Sequence, residues 1–127
     1  MNMVKRLSIK SLTDIVNGKA YSNSTCVIKF YSNGCHFCHG LRRPYQMVAE
    51  DFFLEDRRAH FFAFNIDDIH DLEQIVQING VPTIMVVKTK LNKPTIYLMP
   101  EPPDGQQNSK SWYHFKDLYK FIKGHAS

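Results

Sequence analysis

Residues 26–38 read Cys26-Val27-Ile28-Lys29-Phe30-Tyr31-Ser32-Asn33-Gly34-Cys35-His36-Phe37-Cys38, and the pattern changes twice along them. The first six are apolar apart from Lys29, which predicts a buried strand. Ser32-Asn33-Gly34 is a tight turn. From Cys35 onward Phe37, Leu41, Tyr45, Val48 and Phe52 recur at roughly helical spacing, which predicts a helix to about Glu55. Two cysteines separated by two residues therefore open a helix at the end of a strand. The free N–H groups and the positive end of the helix dipole stabilise a thiolate on Cys35 there. Cys38 lies one turn further on, within disulfide reach. This is the arrangement of a dithiol that cycles rather than one that only staples.

Outward from this unit, Lys5 to Ile9 predicts a short first strand. Ser11-Leu12-Thr13-Asp14 resembles a capping box, and Leu12, Ile15 and Val16 give the helix an apolar face that Asn17-Gly18 ends. Pro44, inside the cysteine helix, predicts a kink. Residues 59–66 are nearly all apolar, as in a strand covered on both faces. Asp67, Asp68 and Asp71 start a predicted third helix that buries Ile69, Leu72, Ile75 and Val76 and ends near Asn79-Gly80. Residues 81–88 and 94–99 read as a strand hairpin, with Pro82 at the mouth of its first strand. Pro100 to Lys110 is a polar, proline-rich loop, expected to be mobile. Ser111 is expected to cap a last helix with Trp112, Phe115, Leu118, Phe121 and Ile122 on one face and Gly124 at its end. The order β-α-β-α-β-α-β-β-α implies an α/β fold, a central mixed sheet with helices on both faces.

A chain of 127 residues suits a single domain, 1–127, with a core that needs no structural disulfide. Its 43% hydrophobic and 22% charged residues are ordinary for a globular protein, and no run reaches membrane-spanning length. Met1 to Leu7 lacks the apolar core of a secretory leader, so the expected setting is a reducing cytoplasm, with no membrane partner. The net charge of +4 is spread along the chain without a dense basic run, which argues against nucleic acid. Cys26 is read as a buried residue without chemistry.

With these elements in place the chain resembles the thioredoxin family. Three features carry the likeness, in the family's order. They are the strand-turn-Cys-x-x-Cys-helix unit, Asn65-Ile66-Asp67, and Gly80-Val81-Pro82-Thr83 opening a strand. The resemblance spans about residues 4 to 124. It implies a thioredoxin fold, a cis bond before Pro82, and substrate binding at Gly34, Val81 and Pro82. It also shows departures. Gly34 stands where the family usually has tryptophan, and His36-Phe37 stands where it usually has Gly-Pro. Lys29 replaces a buried acid that assists proton transfer from the second cysteine. Ala63 replaces a lysine often found beside that acid. Pro44 falls one residue late, which a π-bulge at Gly40 would absorb.

The chemistry implied is thiol–disulfide exchange. Cys35 is the nucleophile and Cys38 the resolving thiol, while Lys29, His36 and Phe37 tune them. The expected partners are disulfide-containing protein substrates and a dithiol reductant or reductase, acting on a monomer without cofactor or metal. Cys35 to His39 also fits the attachment motif of c-type haem, but no export signal accompanies it. Zinc or an iron–sulfur cluster would need ligands further apart than Cys35, His36, Cys38 and His39. The competing reading of another class is a non-catalytic interaction module or accessory subunit on the same fold.

Overall fold

The computed structural model describes residues 3–55 and 57–126. Met1 and Asn2, part of the stretch read for a leader, lie outside the described residues. The elements are β1 (Val4–Arg6), α1 (Ile9–Val16), β2 (Ser24–Tyr31), α2 (His36–Leu54), β3 (His60–Asn65), β4 (Thr83–Lys90), β5 (Lys93–Leu98) and α3 (Phe115–Ala126). The five strands form one sheet in the order β1-β3-β2-β4-β5. β2 and β3 run parallel, while β4 is antiparallel to both β2 and β5. The sheet is therefore mixed, as expected.

β2 lies at the centre, and its side chains alternate between two cores. Val27 joins Leu41, Tyr45, Val48, Phe52, Leu118 and Ile122 under α2 and α3. Cys26, Ile28 and Phe30 join Leu12, Ile15, Phe62 and Phe64 on the α1 side. Lys29 has the same parity as Val27, so it points to the α2 side, and it is only 6% exposed.

The local structure departs from expectation in several places, each with a visible cause. β1 ends at Arg6 because three residues complete its pairing with β3, and the Leu7 N–H then reaches the Ala63 carbonyl at 2.9 Å. Ser8, not Ser11, caps α1: its Oγ accepts from the Ser11 N–H at 3.1 Å. Gly18, at φ +73°, ends α1 as read.

The predicted third helix is absent. In its place stand two short 3₁₀ turns, Ile66–Asp68 and Leu72–Gln74. Asn65 Oδ1 takes the Asp67 N–H at 2.9 Å, and Arg6 holds the Asp68 carboxylate at 2.7 Å. Asp67, whose carboxylate takes the Asn33 N–H, and Asp68 are thus engaged elsewhere, Asp71 makes no side-chain cap, and Ile69, Ile75, Val76 and Ile78 are β-branched and poor helix formers. Their apolar side chains still close the α1-side core.

α2 runs through Gly40 as α-helix, with no π-bulge. Gly40 has another purpose. A Cβ there would overlap the Lys110 carbonyl oxygen, so the absence of a side chain lets the 99–114 connection seat against the helix.

Ser111 does not cap α3. Asn108 and Trp112 exchange backbone hydrogen bonds at 3.0 Å, Ser111 Oγ donates to the Tyr113 carbonyl, and the helix starts only at Phe115. Gly124 lies within α3 rather than ending it. The loop read as mobile carries its own ties, among them Trp112 Nε1 to Glu101 at 2.8 Å and His114 Nε2 to the Gln106 carbonyl at 2.7 Å.

Candidate active site

β2 ends at Tyr31, and the chain reverses through Ser32-Asn33-Gly34 into α2. This turn is held from three directions. The Asn33 N–H donates to Asp67 Oδ2 at 2.9 Å, Asn65 Nδ2 donates to Asn33 Oδ1 at 2.9 Å, and His39 Nε2 meets the Asn33 carbonyl at 3.0 Å. Asn65-Ile66-Asp67 therefore acts as the anchor of the turn. Sequence reasoning noted that segment only as a family marker. His39 is in the sequence only a haem or metal candidate, and its spacing from Asn33 gives no signal for this contact.

The turn delivers Cys35 to the N-cap of α2, half-buried, with Cys38 one turn inside and buried. The two form a disulfide, with their Cα atoms 5.2 Å apart. The Cys38 N–H donates to Cys35 Sγ at 3.1 Å. No acidic residue stands in the first turn of α2, so nothing there offsets the positive helix terminus. Once the disulfide is opened, the same N–H and dipole favour a thiolate on Cys35.

Around the pair, Gly34 is exposed with open space where a side chain would project. His36 is exposed, and its ring lies 5.4 Å from that of Phe37. Phe37 is covered on its other side by Trp112, at 5.2 Å between ring centres. Trp112 was missed as a site residue because it falls at helical spacing with Phe115. In the structure it sits at φ +65°, outside any helix. The Val81–Pro82 bond is cis. Because Phe30 pairs with Thr83, Val81-Pro82 lies at the end of the sheet where Tyr31 leads to the cysteines. The Tyr113 hydroxyl donates to the Pro82 carbonyl at 3.4 Å, which ties the 99–114 connection to this end as well.

Behind Cys38 lies a cavity of about 400 Å³ that Lys29 also lines. Lys29 is held between two aromatic faces, its Nζ 5.5 Å from the Tyr31 ring centre and 5.3 Å from that of Tyr45. Tyr45 is fixed in turn by donating to the Val27 and Phe62 carbonyls at 3.1 and 2.7 Å. Burial, then the neighbouring Arg42 guanidinium, lowers the Lys29 pKa from 10.5 to about 8. Opposite Lys29 in the sheet register is Ala63, whose small side chain leaves the space open. Arg42, four residues after Cys38, was not singled out, although i,i+4 spacing puts both on one helix face. The structure thus brings Cys35, Cys38 and Lys29 into one neighbourhood, with Phe37 under Trp112 and His36 directed outward. Among the described residues no group of three or more His, Cys, Asp and Glu is arranged to hold a metal ion, and no helix is long and apolar enough to cross a membrane.

A family model described as thioredoxin matches residues 4–109. Thioredoxin 2 of Plasmodium berghei is 30% identical over 90 residues, which is 71% of this chain and 55% of that protein. The chain spans about half the length of the curated relatives it matches. The crystal structure of a Malassezia sympodialis thioredoxin is similar with a TM-score of 0.68 at 16% identity, covering 100% of this chain and 94% of that one. In a complex of ferredoxin:thioredoxin reductase with thioredoxin f2, the matched chain gives a TM-score of 0.67 at 20% identity, covering 98% of this chain and 96% of that one. These likenesses establish a thioredoxin fold. With the family model matched over residues 4–109 and a Cys-x-x-Cys disulfide at the strand-to-helix turn, the chain belongs to the thioredoxin family.

Proposed function

We propose that this chain is a thiol–disulfide oxidoreductase that reduces or exchanges disulfides in protein substrates. The observation that carries the reading is the Cys35–Cys38 disulfide, with Cys35 at a helix N-cap and Cys38 buried behind it. In the reduced protein the Cys35 thiolate attacks one sulfur of a substrate disulfide. Cys35 becomes joined to that sulfur, and the other substrate sulfur leaves as a thiolate and takes up a proton. Cys38, as a thiolate, then attacks Cys35 Sγ. The Cys35–Cys38 bond forms, the remaining substrate sulfur departs, and two electrons have passed to the substrate. A dithiol reductant or reductase restores the pair. The complex of a fold relative with its reductase supports a partner of this kind. We further propose that this cycle runs in a reducing compartment such as the cytoplasm.

The surrounding residues have separate roles in this proposal. Val81 offers backbone to a substrate at the open end of the sheet, Pro82 packs buried beside it, and Gly34 leaves the approach to Cys35 unobstructed. His36 and Phe37 set the polarity beside Cys35. Lys29 tunes Cys38. At neutral pH an amine with a pKa of about 8 is mostly ammonium, and its charge draws the buried Cys38 thiol toward the thiolate that resolution needs.

Serine variants test the assignment. Cys38→Ser should accumulate mixed disulfides with substrate proteins, because attack persists without resolution. Cys35→Ser should form none, and either change should abolish the chain's acceleration of protein-disulfide reduction by dithiothreitol above the uncatalysed rate. The reverse pattern of trapping would exchange the roles, and turnover that survives loss of both cysteines would reject the proposal.

A further inference from the structure

The cavity behind Cys38 has an unusual balance of charge. It opens between β2, β3 and α2, and Lys29, Arg42, Arg6 and His39 line it together with Cys38 and Tyr31. No aspartate or glutamate is among its described lining residues. Arg6 is already matched by Asp68 at 2.7 Å, and His39 is engaged with the Asn33 carbonyl at 3.0 Å. Lys29 and Arg42 have no carboxylate partner among the described residues. Lys29 is 6% exposed, and its described contacts are the two tyrosine faces. A cation so placed has no counter-ion among the described residues and meets solvent only through this cavity. Ring faces replace only part of a counter-ion's stabilisation.

The space is large enough to supply the rest. A water molecule takes about 30 Å³, so an opening of about 400 Å³ admits an oxyanion with part of its hydration shell. A guanidinium and an ammonium on adjoining walls suit a group with several acceptor oxygens, the guanidinium fork taking two of them. We propose that this cavity is a binding site for a free inorganic oxyanion of phosphate or sulfate size, held between Lys29 and Arg42 against Cys38. The site goes beyond the redox cycle and is defined by its own residues. Its occupancy bears on that cycle, since a bound anion and a Cys38 thiolate draw on the same two cations.

Calorimetric titration of the oxidised full chain with sodium phosphate and sodium sulfate, against sodium chloride at matched ionic strength, tests the proposal without any turnover. Saturable binding of one anion per chain is expected. Lys29→Met should weaken it by roughly tenfold or more, the scale of one charge-assisted hydrogen bond. Arg42→Gln, at an exposed position on the rim of the cavity, should weaken it similarly without bearing on the core. Arg43→Gln, whose guanidinium faces Glu50 at 3.6 Å, should leave it unchanged. Heat that rises with ionic strength alone, equal affinity in Lys29→Met, or equal weakening by Arg43→Gln would overturn the site.

Discussion

The two sides of β2 each bury a cysteine, and the two cysteines are chemically unlike. On the α1 side Cys26 lies among Ile28, Phe30, Phe62 and Phe64, with no cation among the described residues of that cluster, and burial pushes its thiol up to about 12. On the α2 side Cys38 is just as buried, yet it borders a cavity lined by Lys29 and Arg42 and bonds to a cysteine at a helix N-terminus. Burial alone makes a thiol inert. In the proposed cycle the helix terminus and the cations make a buried cysteine half of a redox pair.

The largest expected difference is in alkylation. In the reduced protein at pH 7, Cys35 should react readily with iodoacetamide while Cys26 stays unmodified. A thiol near 12 has on the order of a thousandfold less thiolate than an unperturbed one. Peptide mapping after a timed reaction checks this, and comparable labelling of Cys26 would erase the contrast between the two sides.

Next in size is the effect of Lys29 on stability. Its pKa falls from 10.5 in the unfolded chain to about 8 in the folded one, so the folded state binds fewer protons between those values. Stability therefore rises with pH across that window, and the full cost of the buried charge is present below about pH 8. In phosphate-free buffer, Lys29→Met should stabilise the fold at pH 7 by up to about 3 kcal/mol. The gain should shrink toward zero near pH 10.5. Cys26 contributes with the opposite sign above pH 9, so urea unfolding of variant and parent must be compared at each pH. A pH-independent difference would mean that Lys29 acts through packing and not through charge.

A smaller effect belongs to Trp112, which sharpens the α2-side description. Trp112→Ala removes the ring that covers Phe37 and the Glu101 tie, and should cost about 1 kcal/mol beyond the lost buried area. Thermal unfolding measures the cost, while Cys26 alkylation should stay as slow as before.

How much of this was legible in the sequence depended on whether pattern or tertiary contact decided each element. β2, the turn and α2 followed from a change of period within residues 26–38, and β4 and β5 from a hairpin of apolar runs. The third helix was illegible because Asp67 and Asp68 are claimed by Asn65, Asn33 and Arg6, residues distant in sequence or on other elements. Trp112 and Ser111 fit a helical pattern, but the reciprocal bonds of Asn108 with Trp112 hold them in a loop. Gly40 looked like a place for an extra residue, and its real constraint, the Lys110 backbone, comes from far along the chain. Lys29 could be singled out from its apolar neighbours. Whether it reached solvent was set by Tyr31, Tyr45 and the closeness of α2.

The central claim is that Cys35 and Cys38 are a reversible two-electron couple. Equilibrating the chain in graded dithiothreitol or glutathione buffers and counting free thiols at each step tests it most directly. The account predicts two thiols lost and regained together, along a curve with about 30 mV per tenfold change, while the Cys26 thiol persists throughout. Cysteines that label equally in oxidising and reducing buffers, or a curve in which Cys26 replaces either partner, would contradict it.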